Sequence, residues 1–271
     1  MAFAADFTRP ERRPISMAII GLGIGGAFLL SMMLSVPLAM LLGLEGLFWL
    51  TVLFGLIGVL LVLTIPRKSH AVEEAQESAQ VDMKPVWMLA LSVFLLHAVM
   101  TLLFVVLPPM LVGKYGFMLA EHWKLYVPTM VCSVLIMFPI LRSVGKSLAE
   151  HLMLPFAFLA LALSMGLMAL DMSVAGLGLL ITFYFLGFNL LEAAMPSLLA
   201  RISGSRGRGR RMGVYSTFQF HGAFAAGVTG GGLLGWLGSG DALLAAAAVC
   251  LVWGIVLKAV SKRFFLTSGR H

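Results

Sequence analysis

Charge is scarce in this chain, and its scarcity is the first constraint. Asp, Glu, Lys and Arg together make up 11% of 271 residues, against 60% apolar residues. Mean hydropathy is +1.00. About a quarter of an ordinary soluble domain is charged, so a water-soluble globule could not hide this much apolar side chain. Cysteine is nearly missing as well: Cys132 and Cys250 each stand alone in apolar runs, which suggests neither a disulfide framework nor a cysteine metal site. HExxH, GxSxG, P-loop and Cys/His patterns are lacking. A membrane enzyme therefore has no positive support, and no catalytic residue, metal or cofactor is expected. The apolar runs lack period-2 alternation and are about twice the length of a barrel strand, which argues against a β-barrel. The first run continues from Ile15 to Leu42, too long for the core of a cleavable signal.

What is present is a series of apolar runs, at 15–42, 47–65, 86–112, 123–141, 149–169, 174–200, 212–236 and 242–260. Each approaches or exceeds the ~20 residues a helix needs to cross the hydrocarbon core. The expectation is an all-α integral membrane protein with eight transmembrane helices. Pro37 should kink the first, and a tight turn over Leu42-Gly43-Leu44-Glu45-Gly46 leads into the second. The longest polar stretch, 67–85, mixes Glu73, Glu74, Glu77 and Asp82 with Arg67, Lys68, His70 and Lys84, and reads as a linker. Of the 19 Lys and Arg, all but Lys114 and Lys124 fall in alternate connecting segments and the two ends. The positive-inside rule then puts both termini and the 67–85 linker in the cytoplasm.

Inside the runs, a few polar residues stand out. Asn189, Glu192 and Pro196 share one face of 174–200 at helical spacing. A carboxylate deep in a membrane helix is a functional candidate, able to bind a proton or a cation; the alternative is a structural carboxylate bonded to a neighbour. His97 shares a face with Thr101, Phe104 and Pro108, and is a candidate proton relay. Tyr215, Gln219 and Gly222 share a face of the seventh run, with Gln219 a candidate pathway residue. His221 points the other way, at the spacing of Thr217, and reads as a satisfied interior histidine. Two small-residue steps, Gly21 with Gly25 and Ala223 with Gly227, Gly231 and Gly235, should let helices approach closely. Arg201, Arg206, Arg208, Arg210 and Arg211 crowd one short loop, fixing topology or holding anionic lipid. No aromatic interleaving accompanies them, so nucleic acid is not an expected partner.

Longer strings carry a family resemblance. FNLLEAAMPSLL, MGVYSTFQFHG and GGGLLGW resemble the tenth and eleventh helices of major facilitator superfamily transporters, in the YajR-type branch of proton-coupled exporters. HAVMTLLFVVLP resembles that branch's seventh helix and EHWKLYVPTM the start of its eighth. ADFTRPERRPISMAIIG resembles the loop before the fifth, and GLEGLFW the turn into the sixth. The resemblance implies a truncated major-facilitator-type fold covering helices five to twelve. Residues 1–66 would form a partial amino-terminal half with two helices, 67–85 the cytoplasmic linker, and 86–271 a carboxy-terminal six-helix half of two inverted repeats. Three positions depart from the family pattern. Arg142 and Gly145-Lys146 lack a preceding acid, Ser35-Val36-Pro37 stands where an antiporter would carry Gly-Pro, and His221 occupies an apolar position. The implied function is secondary transport of a small molecule by proton-coupled export, in a multi-pass protein of the bacterial inner membrane. Implied partners are the substrate, protons, membrane lipids, and either a second copy or a separate amino-terminal piece. The alternative is a non-transporting remnant or membrane scaffold.

Overall fold

The computed structural model describes residues 13–64, 83–144, 150–203 and 207–265. Most of the 67–85 linker, Gly145-Lys146 and Arg206 lie outside the described residues. Helix α1 spans Arg13–Leu63, α2 Met83–Gly113, α3 Trp123–Val144, α4 Glu150–Met168, α5 Val174–Ile202 and α6 Arg208–Phe265, with a 3-10 turn at Leu119–Glu121 before α3. No strand occurs among the described residues.

Five segments are long and apolar enough to cross a membrane: Ile19–Leu63, Met83–Gly113, Leu119–Ile140, Val174–Ile202 and Arg208–Val260, with a shorter apolar helix at Leu152–Met168. The eight separate helices expected from the sequence are thus gathered into fewer elements. The reason is local. At 1.5 Å per residue, the 45 and 53 residues of the first and last segments would reach roughly 70 and 80 Å, against a core of ~30 Å. Each is broken once, at Gly43 (φ 65°, ψ 178°) and Gly238 (φ 79°, ψ 172°). A single glycine suffices because it adopts positive φ without a Cβ clash. Where the sequence suggested turns of several residues, the chain breaks its helix at one.

The described residues divide into two compact units, one comprising 26–64 and the other the rest. In the first, the side chains of 51–64 are all exposed, and the hydroxyls of Ser35, Thr51 and Thr64 bond back to Met32, Leu47 and Leu61 carbonyls of their own helix. In the second unit, α2 packs chiefly on α6, α4 on α6 and α5, and α3 on α5.

Close packing between α2 and α6 uses a different row of small residues from the one the sequence picked out. Gly222 lies against the backbone of Phe94, so that a Cβ there would collide with the Phe94 carbonyl. Gly230 faces Leu102 and Val105 at 3.4 Å, and Ala226 between them is buried. The seam is therefore Gly222, Ala226 and Gly230, one residue out of step with Gly227, Gly231 and Gly235, which are exposed and have no neighbour where a Cβ would go. Both rows share the same four-residue step; only the large side chains on the facing helix decide which one packs. Gly21 and Gly25 on α1 likewise meet nothing within 4 Å.

Beyond Gly238, α6 turns a second surface to the bundle. Gly254 sits against Leu159 and the Pro155 carbonyl, and Trp253 Nε1 donates to Ser92 Oγ on α2 at 3.0 Å. At one end, the Lys114 ammonium meets Asp171 at 2.6 Å and the Leu170 carbonyl at 3.3 Å. This hydrogen bond holds the Asp171 carboxyl below its ordinary range and Lys114 above its own. At the other end, Arg211 donates to the Ser203 carbonyl at 2.8 Å, tying the start of α6 to the end of α5.

Candidate functional site

Four helices of the second unit each contribute polar side chains to one region of a mostly apolar interior. Helix α2 supplies His97, which is 8% exposed. Its Nδ1 stands 3.1 Å from the Val93 carbonyl. A carbonyl can only accept, so Nδ1 carries the proton and the neutral ring presents a bare Nε2. Helix α6 supplies Gln219, whose Nε2 lies 2.9 Å from His97 Nε2 and donates to it. Helix α5 supplies Glu192, with Oε1 3.7 Å from the same imidazole nitrogen. Although the Glu192 side chain is 26% exposed, Oε1 itself is buried and has no hydrogen-bond partner.

One turn earlier on α5, Asn189 Nδ2 donates to Ser133 Oγ of α3 at 3.1 Å, and Ser133 donates in turn to the Met130 carbonyl. Tyr215 completes the group from α6. Its ring is buried, within electrostatic reach of Glu192, and its hydroxyl has no hydrogen-bond partner. Phe188 lies beside His97, its ring tilted by 60° at 5.7 Å between ring centroids. From there an aromatic row continues through Phe185, Phe104 and Tyr126 to His122.

The local sequence explains why these side chains converge. Pro196 has no N–H to give the Glu192 carbonyl, which frees one backbone acceptor beside the carboxylate. Ser173 caps the start of α5 by accepting from Gly176 N at 3.2 Å. Gly222, three residues after Gln219, brings α6 so close to α2 that a glutamine side chain spans the gap to His97.

All five polar candidates named from the sequence, His97, Asn189, Glu192, Tyr215 and Gln219, fall in this region. The five packing glycines do not; each faces away from neighbours. His221, read as a satisfied interior histidine, is exposed, with Nδ1 2.7 Å from the Thr217 carbonyl. Sequence reasoning missed Ser133 and Phe188. Ser133 is the one hydroxyl between Thr129 and Pro139, a signal of the same kind as Asn189. Nothing in the pattern marks Phe188, one of 19 phenylalanines.

Chemically, the arrangement offers a carboxylate and an imidazole 3.7 Å apart, an ion pair when the ring is protonated, amide and hydroxyl groups for hydrogen bonding, and a flanking aromatic wall. Among the described residues no group of three His, Cys, Asp or Glu side chains stands together as metal ligands would.

The Major Facilitator Superfamily pattern matches residues 1–203. The chain is 30% identical over its whole length to a protein named inner membrane transport protein YajR of Escherichia coli (strain K12), covering 61% of that protein. It is 25% identical to an uncharacterized transporter of Buchnera aphidicola subsp. Acyrthosiphon pisum, over 83% of this chain and 60% of the relative. A counterpart from subsp. Schizaphis graminum is 28% identical over 94% of this chain and 68% of its own length. The chain thus spans about three-fifths of the first two relatives. With three-quarters of its residues matched by the family pattern and an all-helical, apolar fold, the chain belongs to the Major Facilitator Superfamily and within it is similar to the YajR type.

Proposed function

We propose that this chain forms one wall of a secondary transport pathway that moves a small molecule out of the cell in exchange for protons. The observation that supports the reading best is Glu192 Oε1, buried without a hydrogen-bond partner 3.7 Å from His97. An ionisable pair in a membrane interior is costly and marks a substrate or proton path. In transporters of this architecture the site lies near the midplane, between two halves that rock against each other. Here residues 86–271 supply one half, and 1–66 contribute two helices of the other, joined by the 67–85 linker. The breaks at Gly43 and Gly238 support a reading with eight crossings, and the gathering of basic residues in alternate segments supports both termini in the cytoplasm. The relatives carry transporter names rather than enzyme names, and the inner-membrane location follows the name of the Escherichia coli relative.

The exposed rows Gly227, Gly231, Gly235 and Gly21, Gly25 then become surfaces for a facing helix, from a second copy or a separate amino-terminal piece. The test is reconstitution in liposomes with an imposed pH gradient, assayed with a panel of small cationic and neutral compounds. The assay is run on the chain alone and on the chain with an amino-terminal piece supplied. Gradient-dependent flux in either arrangement supports the reading. Flux in neither would overturn it and leave a non-transporting membrane scaffold.

A further inference from the structure

His97 Nε2 has two suitors and one position to offer. In the neutral ring it is a lone pair, filled by the Gln219 N–H at 2.9 Å. Glu192 Oε1, an acceptor, waits 3.7 Å away with no hydrogen-bond partner. The other ring nitrogen is committed to the Val93 carbonyl on the same helix, and that bond needs a proton on Nδ1 whether the ring is neutral or charged. The ring is thus held in place while the character of Nε2 alone changes.

We propose that Gln219 is a positioning residue of the proton site. Protonation of His97 breaks its bond to Gln219 and transfers the imidazole to Glu192, so that the proton exchanges an α2–α6 link for an α2–α5 link. A proton arriving at Nε2 turns the acceptor into a donor. It then faces the Gln219 N–H, donor against donor, while the Glu192 carboxylate becomes the matching partner. The atoms balance: Nε2 gains one proton, Gln219 keeps both of its own, and the imidazolium pairs with the carboxylate. Among the described residues, the other buried ionisable groups on the elements packed against α2 are Tyr184 on α5 and Arg208, Tyr215 and Cys250 on α6. The tyrosines and the cysteine are uncharged at neutral pH by their ordinary chemistry and Arg208, eleven residues before Gln219, is a cation. Asp241 on α6 is exposed, so Glu192 is the one buried carboxylate on these elements among the described residues.

The position of Gln219 gives the exchange a consequence. It sits three residues before Gly222, where the α6 backbone rests on Phe94, itself three residues before His97. The Gly222–Phe94 crossing is fixed by contact and acts as a pivot. The Gln219–His97 bond beside it restrains rotation about that pivot, and protonation releases the restraint. Coupling of this kind needs a two-state element that the proton biases, and the choice of partner at Nε2 supplies one.

The proposal deepens the transport reading and rests on it only for the purpose the proton serves. Its test therefore uses no transport assay. The 15N,13C-labelled 271-residue chain in liposomes is followed by magic-angle-spinning NMR between about pH 8 and about pH 5, the range in which histidine ordinarily changes charge. His97→Phe and Gln219→Leu assign the resonances. The expected result is a His97 Nε2–Gln219 Nε2 cross peak at the alkaline end. It is lost with the same midpoint at which the ring protonates, while a His97–Glu192 carboxyl cross peak appears. In His97→Phe the Gln219 amide should be independent of pH. A ring that protonates while Gln219 stays in contact, its amide turned over to offer oxygen, would overturn the proposal. So would a ring that does not protonate anywhere in the range.

Discussion

Replacing Gly222 by alanine should unlock the contact on which the site is built, at a cost that can be worked from the structure. The added Cβ would run into the Phe94 carbonyl, a backbone atom that no rotamer change can move aside. Helix α6 must back away from α2, or α2 must bend. Inserting a methyl into a packed seam costs ~1–3 kcal/mol. Backing away also stretches the His97–Gln219 bond one turn off, a further ~0.5–1.5 kcal/mol. Alanine returns up to ~1 kcal/mol of helix propensity. The net loss is about 2 kcal/mol. Gly227→Ala is the internal control. It lies five residues along the same helix, nothing is within 4 Å of its Cβ position, and it should be neutral to within ~1 kcal/mol. The assay is equilibrium unfolding of both variants in mixed detergent, with size-exclusion profiles to confirm that the starting states are monodisperse. If Gly222→Ala is as stable as the parent, or if Gly227→Ala is the more damaging of the two, then the seam has been assigned to the wrong row.

Asn189→Ala should cost ~0.6–1.7 kcal/mol through its lost bond to Ser133, and a double-mutant cycle with Ser133→Ala should show that the two losses are not additive. Trp253→Phe should remove the bond to Ser92 for about 0.6 kcal/mol, measured by the same unfolding assay and absent in a Ser92→Ala background. The Lys114–Asp171 tether should persist through neutral pH. It should be lost as pH falls through the lowered carboxyl value or rises through the raised ammonium value; an NMR contact between the two side chains that survives strong acid would contradict this. A cysteine at Gly209, which is exposed with open space around it, should react with an impermeant thiol reagent only after cells are opened, in a background lacking Cys132 and Cys250. Labelling of intact cells would reverse the proposed orientation.

Polar residues were the legible part of this sequence. In a chain so poor in charge, Glu192, His97, Asn189 and Gln219 are conspicuous because each is costly where it stands, and cost is visible without knowing the partner. Helix packing was less legible. The rows through Gly222 and Gly227 have the same periodicity, and only Phe94 on another helix tells them apart. The same limit hid the role of Ser133, 56 residues from Asn189 in the chain, and misjudged His221. Its bond to Thr217 is local, whereas its exposure depends on what surrounds α6. Turns were partly legible: Gly43 lay in the turn named from the sequence and Gly238 in the gap between two apolar runs, but neither showed that a single residue would serve.

The claim that matters most is that the His97–Glu192 pair takes up the proton that drives transport and needs the Glu192 carboxylate to hold it. Glu192→Gln keeps the shape and hydrogen-bonding capacity of the side chain and removes its titration. In proteoliposomes that show gradient-driven flux with the unmodified chain, the variant should lose that flux while retaining substrate exchange with no pH gradient. Proton-driven flux unchanged in Glu192→Gln would contradict the account and leave the carboxylate a structural role beside His97.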